Sequence, residues 1–266
     1  MLLTHASLNI PESGVSQWWG RDNQETYKEN LWFTPEHWRY RTNGVEYNVN
    51  SQGYRCPEFS SINWDQCCIV LGCSVVFGLG IGETETISHL LEQQLDYPVI
   101  NLGVSGSGCD WQYWNAITLY NQGIRPRKII MHWPNPCRGM FFNQERQADT
   151  YINSNLDLPS RPVYVSDKCD MNSVYAEEHH WYMMLEMYAQ HLSVLFGNTI
   201  QHVWYQANLD ILKNYNIPDF DFEQELEIKH SIRSAKRSVD NLARDLEHPG
   251  GEINKNIVVP YLTDKL

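Results

Sequence analysis

The chain has 266 residues, which suits one α/β domain or two small ones and is long enough for a large buried core. Acidic residues outnumber basic ones, 32 to 20, for a formal net charge of -12. That balance argues against a nucleic-acid ligand and against an anionic membrane surface, since both select for basic faces, and the acidity reads as solvated surface.

The N-terminal stretch MLLTHASLNIPESG has no basic segment followed by an apolar one, so no signal peptide is expected. No apolar run approaches the roughly 20 residues of a membrane span. Cysteines at positions 56, 67, 68, 73, 109, 137 and 169 form no C-x-x-C pair, which indicates neither a zinc ribbon nor a thioredoxin motif. Reduced thiols and a cytoplasmic setting are the expectation.

Residues 1–64 are rich in aromatic side chains (Trp18, Trp19, Trp32, Trp38, Tyr40, Tyr47, Tyr54, Trp64) and poor in periodicity. We expect short strands and loops that pack on a core as an extension. Asn50-Ser51-Gln52-Gly53-Tyr54-Arg55 reads as a turn into an extended piece. From residue 67 the pattern alternates. Strands are predicted at Cys67–Leu71, Pro98–Leu102, Lys128–Trp133 and Ile200–Gln206, with helices at 84–96, 110–123 and 174–196 between them. Short apolar strands separated by helices predict a parallel sheet covered on both faces, whose ligands bind at the carboxyl ends of the strands. A helix is predicted over 221–244, acidic at its start and basic later, as the helix dipole favours. A final helix is predicted over 252–266, after His248-Pro249-Gly250-Gly251.

The glycine-rich stretch LGCSVVFGLGIGETET, residues 71–86, invites two functional readings. Gly78-Leu79-Gly80-Ile81-Gly82-Glu83 supplies two glycines of G-x-G-x-x-G but puts Glu83 at the third place, where a carboxylate would repel a pyrophosphate. The first glycine also falls too far past Leu71 for the tight first turn of a dinucleotide site. The other reading is a nucleophile. Ser74 should emerge at the carboxyl end of the first core strand, and a serine hydroxyl needs a base held by an orienting group. Asp245-Leu246-Glu247-His248-Pro249-Gly250 offers both on one turn. Cys73 is a rival nucleophile that would use the same histidine, although neighbouring side chains point apart and a small buried residue is the plainer reading. Glu177-Glu178-His179-His180 contains E-x-x-H without the second copy a di-iron site needs. His132, on a predicted strand, reads as a core histidine.

Taken in order, G-C-S-x-x-x-G-x-G (Gly72 to Gly80), Asn101-Leu102-Gly103-Val104-Ser105-Gly106-Ser107-Gly108 and the late D-x-x-H-P-G resemble the SGNH hydrolases, also called GDSL esterases and lipases. N-S-x-G-Y-R at 50–55 is similar to a segment of many bacterial members. The resemblance implies a flavodoxin-like three-layer α/β/α sandwich with a parallel sheet of about five strands, occupying residues 65–266. It implies Ser74 as nucleophile, His248 as base and Asp245 as the group that orients it. The implied oxyanion donors are the Ser74 N–H, the Gly103 N–H and the Asn135 side chain. No cofactor or metal is implied. Two departures stand out. Cys73 replaces the aspartate of G-D-S, and Trp133-Pro134-Asn135-Pro136 keeps only the asparagine of G-x-N-D. Loss of one oxyanion donor costs about 2.7–4 kcal/mol, a factor of roughly 10² to 10³.

The implied reaction is acyl transfer through a covalent intermediate on a small-molecule or carbohydrate ester. Water as acceptor makes the chain an esterase, and a sugar hydroxyl makes it an O-acyltransferase. Trp18, Trp19, Trp111 and Trp114 suggest stacking on sugar rings, with core packing as the competing reading. The altered Asn135 segment favours a non-catalytic protein of the same fold that binds a glycan or another protein. The intact Ser74, Asp245 and His248 favour the enzyme. Oligomeric state is not legible.

Overall fold

The computed structural model describes residues 14–136, 138–142, 148–152 and 178–266. Its centre is a parallel sheet built from β3 (Cys68–Gly72), β4 (Val99–Gly103), β5 (Lys128–His132) and β8 (Ile200–Val203). The strand order is β4-β3-β5-β8, with Cys68 beside Val99 and Lys128, and Ile129 beside Ile200. Four strands stand among the described residues, against about five expected. The chain also contains two antiparallel pairs, β1 (Gly14–Ser16) with β2 (Tyr47–Val49), and β6 (Arg138–Phe142) with β7 (Ala148–Ile152).

Every residue of β3 and β4 is buried, so alternate side chains feed two separate cores, as a sheet covered on both faces requires. Ile69, Leu71, Ile100, Leu102, Ile129 and Met131 point into one cluster with helices α4 (Cys109–Asn121) and α5 (Glu178–Phe196). Cys68, Val70, Val99, Ile130 and Val203 point into the other. There they meet α3 (Ile87–Glu92), α7 (Phe222–Ala235) and α9 (Val259–Lys265). The result is a three-layer α/β/α sandwich with flavodoxin-like layering. No helix among the described residues is long and apolar enough to cross a membrane.

A third apolar cluster joins Trp19, Trp38, Tyr40, Val45, Tyr47 and Val49 to Phe77 and Leu79. Residues 14–49 therefore pack on the segment that follows the predicted nucleophile. The turn at Asn50 is built as its sequence suggests. Asn50 Oδ1 accepts the N–H groups of Gln52 and Tyr54, both at 3.0 Å, and delivers Arg55 into the interior.

Several predicted boundaries move. Strand β8 ends at Val203, because the Trp204 N–H leaves the sheet to donate to Glu225 Oε2 at 3.2 Å. The helix predicted over 84–96 is a 3-10 turn followed by α3, with Thr86 capping through the His89 N–H. The helix predicted over 221–244 stops at Ala235. Beyond it the backbone is needed elsewhere: Ala243 N–H donates to the His248 carbonyl, Gly250 N–H to Asn241, and Arg244 N–H to Gly80. Of the helix predicted over 174–196, the first four residues lie outside the described residues.

Candidate active site

Strand order reverses direction between β3 and β5, and the loops that leave such a point bound the crevice where α/β sheets bind ligands. Ser74 leaves β3 there as the first residue of a short helix, α2 (Ser74–Phe77). Asn135 leaves β5 there too, exposed between the buried Pro134 and Pro136.

The C-terminal turn meets Ser74. His248 Nε2 lies 2.7 Å from Ser74 Oγ, and His248 Nδ1 lies 2.5 Å from Asp245 Oδ2. An ionised carboxylate only accepts hydrogen bonds, so Nδ1 carries the ring proton and Nε2 is the acceptor for the serine hydroxyl. Asp245 Oδ1 accepts the N–H groups of Glu247 and His248, both at 3.1 Å. Burial alone would raise the Asp245 pKa; the hydrogen bonds and the charge of His248, with those two N–H groups, more than offset it, and the pKa is lowered. The turn runs through Leu246 in the left-handed region, at φ 58°. Ser74 and Asp245 are buried, and His248 keeps 17% of its side-chain surface open.

The glycines bring these two segments together. Gly80 has φ +77°, and a Cβ there would stand 2.9 Å from Ala243 Cβ and 3.0 Å from Arg244 N. The glycine-rich loop is thus the surface on which the Asp245 turn lies. Arg55 holds that loop from within. Its guanidinium donates to the carbonyls of Gly78 at 2.7 Å and Ile81 at 3.1 Å, and to Glu83 Oε2 at 2.7 Å. Glu83 therefore counters a buried guanidinium.

The resemblance implies an oxyanion donor at Gly103. Its N–H donates to Asn101 Oδ1 at 2.9 Å and is not presented to the crevice. A Cβ at Gly103 would stand 2.4 Å from Phe77 N, so this glycine lets α2 lie directly on β4. Downstream, Gly106 is exposed with φ +84°, and no hydrogen bond is made by the Ser105 or Gly106 N–H to the described residues. Sequence reasoning passed over this turn because three glycines in eight residues are equivalent on paper.

Among the described residues Cys73 makes no hydrogen bond to His248, and its sulfur lies 3.8 Å from Ser74 Oγ. Its thiol contacts Gln206 Oε1 at 3.7 Å, in a buried position. His132 is a core histidine, buried and 2.5 Å from the Tyr205 hydroxyl through Nε2. Burial drives its pKa down to about 4, although a backbone hydrogen bond works the other way. Of the tryptophans proposed to stack on sugar, Trp19 and Trp111 are core residues. Trp18 is half-buried and Trp114 is 46% exposed. The described cysteines form no disulfide, and Cys137 and Cys169 lie outside the described residues. The E-x-x-H segment begins at Glu177, also outside them. Among the described residues no group of three or more His, Cys, Asp or Glu is arranged to hold a metal. A pocket of about 670 Å³ has Trp18, Tyr27, Tyr40, Glu46 and Arg244 among its walls, and Ser74, Asp245 and His248 do not line it.

No protein-family model matches the chain, and no curated protein does. Solved structures do. The crystal structure of TesA matches with a TM-score of 0.42 at 13% identity, over 76% of this chain and 100% of that one. A G-D-S-L family protein from Desulfitobacterium hafniense DCB-2 matches with a TM-score of 0.39 at 12% identity, over 76% of this chain and 100% of its own. The acetyl xylan esterase Est2A from the rumen bacterium Butyrivibrio proteoclasticus matches with a TM-score of 0.39 at 12% identity, over 84% of this chain and 67% of the esterase.

Proposed function

We propose that the chain is a serine hydrolase of ester bonds, with Ser74 as nucleophile, His248 as general base and Asp245 as the orienting carboxylate. The observation that carries this reading is the unbroken hydrogen-bonded series from Ser74 Oγ through both ring nitrogens of His248 to Asp245. A buried serine and aspartate joined through a partly open histidine have no structural need of one another, since a core is stabilised as well by apolar side chains.

In the reaction, His248 Nε2 takes the Ser74 proton as Oγ attacks the acyl carbon. The imidazolium is stabilised by Asp245 and then protonates the departing alcohol. Water, deprotonated by the same Nε2, releases the acid and restores the serine. The oxyanion needs donors fixed in advance. The Ser74 N–H opens α2 and so has no acceptor within the helix. The Ser105 and Gly106 N–H groups are the second source, in place of Gly103. The Asn135 side chain, at the neighbouring strand end, is the third. The substrate class is a small-molecule or carbohydrate O-acyl ester, as the resemblance implies.

The test is a fluorophosphonate probe, with the adduct mapped by mass spectrometry, beside hydrolysis of p-nitrophenyl acetate. An adduct on Ser74 that His248→Ala loses, with hydrolysis lost alongside, supports the reading. Folded protein that carries no adduct on Ser74 ends it. Adding a sugar alcohol during turnover separates hydrolase from acyltransferase by whether an acylated sugar accumulates.

A further inference from the structure

Arg244 is next to the triad aspartate and is buried, yet its side chain turns away from the triad. Its Nε donates to Asp22 Oδ1 at 2.8 Å and its Nη2 to Asp22 Oδ2 at 2.7 Å. Nη2 also donates to the Gln17 carbonyl, and the guanidinium lies 4.1 Å from the centre of the Trp18 ring. Asp22 is only 1% exposed. Its Oδ2 accepts the Tyr47 hydroxyl as well, and the Tyr47 oxygen accepts the Gly80 N–H at 2.7 Å. The Gly80 carbonyl accepts the Arg244 N–H at 2.8 Å, which closes the circuit. On the far side of the peptide, the Arg244 carbonyl accepts Asn30 Nδ2 at 3.1 Å.

Three parts of the chain meet in this circuit. Gly80 belongs to the loop that follows the nucleophile helix. Arg244 begins the turn that carries Asp245 and His248. Asp22, Tyr47 and Asn30 come from the N-terminal segment. A buried ion pair contributes little net stability compared with apolar residues of the same volume. What a two-point arginine–carboxylate pair supplies is direction, because the guanidinium fork fixes both distance and plane. The Asp245 turn needs such a hold, since Leu246 sits at φ 58°, a conformation a leucine keeps only when its surroundings impose it.

We infer that Asp22 is a positioning residue for the active site: it clamps Arg244 against the Gly80 loop so that the Asp245–His248 pair meets Ser74. The N-terminal segment is then part of the catalytic apparatus without touching substrate. This inference rests on the serine-hydrolase reading, and the experiment separates the two.

The whole chain is used, as wild type, Asp22→Asn, Asp22→Glu and Arg21→Ala. Arg21 is the control. It reaches the same turn from the same segment, through Glu247 at 2.5 Å, but both partners are about half exposed and such pairs count for little. Two readouts are taken per folded molecule: the saturating rate of fluorophosphonate labelling at Ser74, and the far-downfield proton resonance of the His248 Nδ1–H bonded to Asp245. For Asp22→Asn the labelling rate is expected to fall roughly 10- to 100-fold, the cost of a small misplacement of reacting groups. Probe affinity stays constant and the downfield resonance is lost or moved. Asp22→Glu recovers part of both, and Arg21→Ala changes neither. If Asp22→Asn labels within about twofold of wild type and keeps the resonance, whatever its melting temperature, the ion pair is only structural and the inference fails. Should Asp22→Asn not fold, Arg244→Lys keeps the charge, loses the two-point contact and is judged by the same readouts. If wild type shows the resonance but never labels, the hydrolase reading fails while the resonance in the variants still decides the positioning.

Discussion

Asp245→Asn is the substitution that the geometry resolves most sharply. Oδ1 of Asp245 accepts two backbone N–H groups and Oδ2 accepts the His248 ring. An asparagine has one oxygen and one NH₂ to distribute over those places. Its oxygen must take the backbone side, because an NH₂ there would face two N–H donors. The NH₂ then faces His248 Nδ1, which can only accept from it, so the ring proton moves to Nε2. In that tautomer Nε2 donates toward Ser74 and cannot take its proton. Fold and packing are preserved, since the two side chains have the same shape, and the loss falls on the chemistry. The expected decrease in kcat is about 10⁴-fold, or about 5 kcal/mol of transition-state stabilisation. The assay is p-nitrophenyl acetate hydrolysis with fluorophosphonate labelling in parallel, on protein that is fully folded at the assay temperature and pH by its own cooperative melting curve. Activity within about tenfold of wild type would refute the reasoning, because it would mean that the carboxylate does not set the histidine tautomer. The same variant has a pH signature. The Asp245 pKa is lowered in the folded chain, so its carboxylate contributes stability that is fully present above the ordinary value of 3.8 and is lost as pH falls through the lower folded value. Urea unfolding of wild type and Asp245→Asn should therefore converge in acid and differ at neutral pH.

Gly80→Ala forces a Cβ against Ala243 and Arg244 in a left-handed backbone, so a loss of about 1–3 kcal/mol in urea unfolding is expected together with slower Ser74 labelling; unchanged labelling would mean that the turn does not depend on this loop. Cys73→Ala removes two long sulfur contacts, to Gln206 Oε1 at 3.7 Å and from the Ser74 hydroxyl at 3.8 Å, and labelling of Ser74 should stay within a few-fold; abolished labelling would return the cysteine to consideration as nucleophile. His132 and His202 are neutral in the fold, with pKa values lowered to about 4 and about 3, chiefly by burial and for His202 also by the nearby Lys265 charge. Unfolding lets each take up a proton, so stability falls as pH drops below 6.5 toward those values, by up to about 1.4 kcal/mol per pH unit for each. Urea titrations between neutral and mildly acidic pH check the slope, and a flat profile would show that both rings are already protonated in the fold.

The layered architecture was legible because it depends on local periodicity. The short, uninterrupted apolar run Cys68-Ile69-Val70-Leu71 suits a strand covered on both faces, and the structure has it there, feeding two cores. The D-x-x-H turn was legible because its bonds span three residues. The contact of the Gly103 N–H was not legible for a related reason. Nothing in Asn101-Leu102-Gly103 announces that the asparagine side chain folds back onto the glycine N–H two residues later and removes that donor. The helix predicted beyond Ala235 followed charge order correctly but missed a competing demand, since residues 241–250 spend their backbone groups on one another and on Gly80.

By itself the sequence determined the element types, the covered parallel sheet and the set of residues with the chemistry for acyl transfer. All of these follow from patterns within about twenty positions or from side-chain identity. Only the tertiary structure decided which of them meet. Ser74 and His248 are 174 residues apart, and their 2.7 Å contact exists because β3 ends where the C-terminal turn is pressed onto the glycine-rich loop. The Asp22–Arg244 pair, 222 residues apart, had no local signature at all. Its partners were one acidic and one basic residue among many, and only burial, which removes water as an alternative partner, makes each specific to the other.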